Sequence, residues 1–190
     1  MKKTLAALSF ASLAFAGTTL ADDYVIDTEG QHASVQFKIS HLGYSYIFGR
    51  FDEFSGTFSY DEENPAAATV NVTVNTDSIN TNHAERDKHL RSADMLDVSE
   101  FPQSTFVSTA YTPGEGDSGV LEGNLTLHGV TKPISIAVEQ VGAGDDPWGG
   151  FRRGFTGTAT ITLADFGIDY NLGPASREME LILAVEGIRQ

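Results

Sequence analysis

The chain has 190 residues, 12 Lys+Arg against 26 Asp+Glu, a formal charge of −14 and no cysteine. The length suits one domain with a real core, and the missing cysteines exclude disulfide frameworks, thiolate-held metals, iron–sulfur clusters and cysteine nucleophiles. The acidic balance excludes nucleic acid as a natural partner, because a polyanion is repelled rather than gaining by counterion release.

Lys2 and Lys3 precede an apolar run from Leu5 to Gly17, and Thr19-Leu20-Ala21 then places small residues at −3 and −1 of a cleavage site. This is the layout of a secretory signal peptide over residues 1–21. The run is too short to span a bilayer, so no stable membrane insertion is expected. The mature chain, 22–190, then carries −16, and its simplest destination is a bacterial periplasm, as a soluble protein.

From there the chain alternates apolar and polar residues with period 2, the pattern of half-buried strands. A short candidate at Tyr24–Asp27 comes first, then Val35, Phe37 and Ile39 on one face of a strand. Phe54, Gly56, Phe58 and Tyr60 follow, then Val70, Val72 and Val74. Asn82 with Glu85 reads as a capping box opening a short helix that ends near Ala93 or Asp94. That helix lies in a connection long enough to serve as a lid or binding element. A weaker strand is predicted at Thr105–Tyr111, then strands through Leu121–Leu127, Ile134–Val138, Phe155–Leu163 and Met179–Val185. Turn chemistry marks Glu62–Pro65, Pro113–Asp117, Gly129–Pro133 and Gly142–Gly150. One apolar and one polar face per strand predicts an all-β fold, an extended antiparallel eight-stranded barrel with one short helix in a long loop. A two-layer sandwich is the competing architecture. The outer faces carry Thr, Asn, Glu and Lys rather than a lipid-facing girdle, so the apolar faces point inward and no second domain is expected.

Nucleophile elbow, HExxH, P-loop and EF-hand patterns are absent, and Gly142-Ala143-Gly144 runs into Asp145-Asp146-Pro147 rather than a helix. His83, Asp87, His89 and His41 could hold a metal on spacing alone, but a polar helix face explains them as well. We therefore expect neither catalysis nor a metal or other cofactor. Arg86, Lys88, Arg91, Arg152 and Arg153 form two cation clusters, able either to receive an anionic head group or to pair with the abundant carboxylates. Ten Phe remain after the leader, with Phe48, Phe51, Phe54 and Phe58 close together. Inward glycines at 56, 123 and 157 would either make room for a chain-like ligand or mark bulges and corners.

Several segments carry a family likeness. They are His32-Ala33-Ser34-Val35-Gln36-Phe37 with Ile39-Ser40-His41, Gly49-Arg50-Phe51, Asp77-Ser78-Ile79-Asn80-Thr81 and Arg86-Asp87-Lys88-His89-Leu90-Arg91-Ser92. Phe101-Pro102 and the run from Gly123 through Leu127-His128-Gly129-Val130-Thr131-Lys132 to Pro133 complete the set. In this order and spacing they resemble the YceI family of exported, lipocalin-like polyisoprenoid-binding proteins. The resemblance implies a barrel around a long apolar pocket for an isoprenoid lipid of polyprenyl or quinone type, held without a metal or redox cofactor. On the inward faces, Phe37, Ile39, Phe54, Phe58, Val72, Leu125, Phe155, Ile161 and Leu183 are the expected tail contacts. Arg86, His89 and Arg91, on the helix over the mouth, are the expected head-group residues. A membrane donor or acceptor protein and a second copy of the chain are the expected macromolecular partners. A filled barrel serving as a stress-related binding module with a protein partner is the alternative.

Overall fold

A computed structural model describes residues 21–170 and 173–190, so the leader reading lies outside it apart from Ala21. Eleven strands form among the described residues: β1 (Asp22–Ile26), β2 (Ser34–His41), β3 (Ser45–Phe51), β4 (Phe54–Tyr60), β5 (Thr69–Asn75) and β6 (Ile79–Asn80). After one helix, α1 (Ala84–Leu90), come β7 (Gln103–Pro113), β8 (Ser118–Leu127), β9 (Val130–Asp145), β10 (Phe151–Thr162) and β11 (Glu178–Arg189). Eight of them close an antiparallel ring in the order β1–β4–β5–β7–β8–β9–β10–β11, with β11 pairing back to β1. The closed barrel is therefore the architecture, and a two-layer sandwich is not.

The remaining strands extend the wall. One edge of β11 serves two neighbours: Met179–Ala184 pair with β2, and Gly187–Arg189 pair with β1. The β2–β3 hairpin continues outward, and β3 meets β6 only at Arg50 and Phe51. Among the described residues, its edge from Ser45 to Gly49 carries no further strand. Two bulges, at Ser108/Ala110 on β7 and opposite Gly154/Phe155 between β9 and β10, supply the bend that closing a small barrel demands.

The two ends differ. At one, which we call the helix end, α1 and the segment after it lie beside the β8–β9 turn. That turn is His128-Gly129, both at positive φ (51° and 72°), the two-residue geometry that matches strand twist. Phe101 and His128 rings meet there edge to face at 4.7 Å. At the far end lie the β7–β8 and β9–β10 loops and the paired first and last strands.

The structure corrects four local expectations. β3 and β6 were not legible, because Tyr46 and Phe48 put aromatic rings on the solvent face and erase the alternation. The helix is shorter than 82–94 and is capped by His83, whose Nδ1 accepts from the Arg86 N–H at 3.2 Å. Asn82 instead sits at φ 60° with its N–H on Asn80 Oδ1. The predicted turn at 129–133 is strand from Val130 on, and the one at 142–150 is strand as far as Asp145, where β9 ends, and turn only over residues 146–150.

Candidate functional site: an apolar cavity along the barrel axis

Inward residues of all eight ring strands and of β2 and β3 enclose a cavity of about 240 Å³. All nine expected tail residues, Phe37, Ile39, Phe54, Phe58, Val72, Leu125, Phe155, Ile161 and Leu183, line it. Val35, Ile39, Phe54, Val72, Leu181 and Leu183 face the axis yet stay only half-buried, because what they face is the void. Among the described residues, no Asp, Glu, His, Lys or Arg lines it. Its few hydroxyls are subdued; Ser104 Oγ, for example, donates to Thr126 O at 2.8 Å. Burial lifts the Tyr111 phenol at its rim above the ordinary value, which keeps that group neutral. Such a wall offers dispersion and dryness to a hydrocarbon chain and no hydrogen bond along its length.

The inward glycines divide. A Cβ at Gly123 would lie 2.3 Å from the Phe106 ring, and one at Gly56 would meet Ile26 Cδ1 at 2.8 Å. Those two glycines make room for neighbouring side chains, not for a ligand. Gly157 lines the cavity itself, with Ile136 Cγ2 at 3.0 Å from its would-be Cβ.

Leu90 of α1, with Met95, Leu96 and Ile168, stops the cavity at the helix end. The polar residues of this segment hold the stopper in place. Asp87 is buried, accepting from the Thr81 N–H at 2.9 Å and from the Thr81 hydroxyl. Arg86 donates to Thr81 Oγ1 at 2.7 Å and Thr81 O at 2.8 Å. Arg91 donates to the carbonyls of Asp77 at 2.6 Å and Ile79 at 2.7 Å. His89 packs edge-on against Tyr170 with centroids 5.0 Å apart. The three expected head-group residues thus sit together on this segment, but both guanidiniums are turned onto the protein itself, Arg86 onto the hydroxyl and carbonyl of Thr81 and Arg91 onto two backbone carbonyls. His83 and Asp87 are likewise engaged in capping and in the Thr81 knot.

The second cation cluster is split by strand alternation, which sends consecutive side chains to opposite faces. Arg152 points outward and donates to Asp27 Oδ2 at 2.6 Å, Glu186 Oε1 at 2.6 Å and Asp146 Oδ2 at 2.9 Å. His32 Nδ1 adds a bond to Asp27 at 2.9 Å. Asp27, His32 and Glu186 come close enough to share a metal ion, but Arg152 already fills the space between the two carboxylates. Arg153 points inward at the far end, among Tyr24, Tyr60 and Gln140. The sequence flags both arginines but not which of them enters the barrel; only the register of β10 fixes that.

The model of the YceI-like domain family matches residues 24–187. A UPF0312 protein of Pseudomonas aeruginosa is 60% identical over 191 residues, covering 100% of both chains. Among solved structures, Burkholderia cenocepacia BcnA superposes with a TM-score of 0.74 at 20% identity, over 85% of this chain and 98% of that one. A polyisoprenoid binding domain from Saccharophagus degradans superposes with a TM-score of 0.63 at 16% identity, over 88% and 98%. At those identities the two structures speak for the fold alone.

Proposed function

The chain belongs to the YceI-like domain family, and on that footing we propose that it binds a long-chain isoprenoid lipid of polyprenyl or quinone type, tail inside the barrel, and carries or sequesters it in the periplasm. The observation that carries this reading is the uncharged apolar cavity running from Leu90 and Met95 to Tyr60 and Tyr111. At about 240 Å³ it exceeds the dry cavity of about 150 Å³ that suffices for benzene. The polyisoprenoid-binding neighbour of the same fold lends the ligand class. Binding, not catalysis, is the activity such a wall serves.

Each CH₂ withdrawn from water is worth about 0.8 kcal/mol, so a few prenyl units saturate any realistic affinity. The rival host is the bilayer, where the tail is already dry, so selectivity rests on tunnel shape and head-group contacts. A mature charge of −16 keeps the protein from settling on anionic lipid, which suits delivery between a membrane donor and an acceptor protein. The open edge of β3, with Tyr44, Tyr46 and Phe48 exposed, is where such a protein or a second copy of the chain would pair.

Mass spectrometry of the purified protein, native and after organic extraction, tests the reading. One lipid of prenyl-repeat mass per chain is the expected result. Leu183→Trp grows into the void and should abolish lipid uptake while the protein stays folded. An empty protein that also refuses added quinones and polyprenyl phosphates would overturn it in favour of a filled scaffold with a protein partner.

A further inference from the structure

Arg153 is only 3% exposed and enters the barrel at the far end. Its guanidinium lies over the Tyr60 ring, 4.4 Å from the centroid, and the other side of that neighbourhood is the cavity, which Tyr60 lines. It donates to Gln140 Oε1 at 2.6 Å and reaches Tyr24 Oη at 3.4 Å. Its charge is balanced by Glu62, a loop residue whose side chain is 71% exposed.

The contrast with Arg152 is informative. Arg152 is matched by carboxylates fixed in the fold, Asp27 at 6% exposure and Asp146 at 7%. A cation serving the barrel alone would be expected to have such partners, since a buried charge is costly unless paired within the structure. Arg153 instead relies on a carboxylate that water can reach and that the loop between β4 and β5 can withdraw. Its planar fork of five N–H donors suits two oxygens of one anion, and it stands where a tail lying in the cavity would end.

We propose that Arg153 receives an anionic oxygen head group, phosphate being the type case, and that Glu62 is the exchangeable counter-ion this group displaces. The inference rests on the carrier reading and places the head at the end opposite α1. The lipid enters tail first past Tyr60, and its head completes the closure that Glu62 otherwise provides.

Delipidated protein titrated with geranylgeranyl phosphate, geranylgeraniol and inorganic phosphate tests this. Wild type should prefer the phosphate ester over the alcohol by about tenfold, the worth of a charge-assisted hydrogen bond. Glu62→Gln, a surface change that spares folding, should widen that preference several-fold and leave the alcohol unchanged. Arg153→Met should remove the preference while keeping alcohol binding. Inorganic phosphate should compete poorly, because it has no tail to bury. If the alcohol binds and Glu62→Gln leaves the ratio unaltered, the head-group assignment falls while the carrier reading stands. Competition by inorganic phosphate as strong as by the ester would make Arg153 a free-anion site and overturn the assignment as well. If neither prenyl compound binds, both readings fall together.

Discussion

Asp27 concentrates more bonds than any sequence pattern could announce. Arg152 and His32, with the Gly30 N–H, hold its carboxyl at about 2, below the ordinary 3.8. A carboxylate depressed in the folded state contributes stability that is complete above about pH 4 and is lost as pH falls through the folded value. The shift corresponds to about 2 kcal/mol. Asp27→Asn should therefore lower the urea midpoint at pH 7 and flatten its fall between about pH 4 and pH 2. A variant with the same acid limb as wild type would show that the network does not couple to folding. The pair Arg152-Arg153 marks the limit of reading at this scale. Period 2 says that adjacent arginines part company, but which one meets Asp27 and which enters the barrel depends on a strand register set 125 residues away in sequence.

At the scale of elements, alternation made most of the barrel wall legible, since each such strand keeps one apolar face for the interior. It failed at β3, where Tyr46 and Phe48 face outward at 62% and 59% exposure. The helix was legible in kind but not in extent, because Asn82 takes a left-handed backbone conformation and passes the cap to His83. The cavity residues followed from the alternation; the Thr81–Asp87–Arg86 knot did not, since side-chain bonds between a loop and a helix leave no periodic trace. That knot bears the stopper. Asp87→Ala leaves the Thr81 N–H and hydroxyl without their acceptor and should cost about 1–3 kcal/mol. Amide exchange should quicken over residues 84–96 in that variant while the far end keeps its protection. Uniform loss of protection along the chain would mean instead that the segment is part of the barrel's cooperative core.

For the whole molecule, the cavity and the charge set opposite demands. An unfilled void of about 240 Å³ forgoes on the order of 6 kcal/mol of packing, a large share of the stability of an ordinary domain. Stripping the lipid should therefore lower the melting temperature markedly, and adding it back should restore it; calorimetry before and after extraction decides. A net charge of −14 repels itself in the compact state, so raising salt from low to physiological strength should raise the melting temperature of the stripped protein. β11 has a further consequence. Its one edge holds both β2 and β1 while the other holds β10, and the last residue's N–H reaches back to Asp23 O at 2.9 Å. No ring exists until β11 is in place, and the contacts that seal it join β1 to β11, the longest-range strand pairing among the described residues. The chain is thus a ribbon without a lock until β11 docks. The container therefore exists all at once or not at all: whatever peels β11 away opens the ring to water along two walls together.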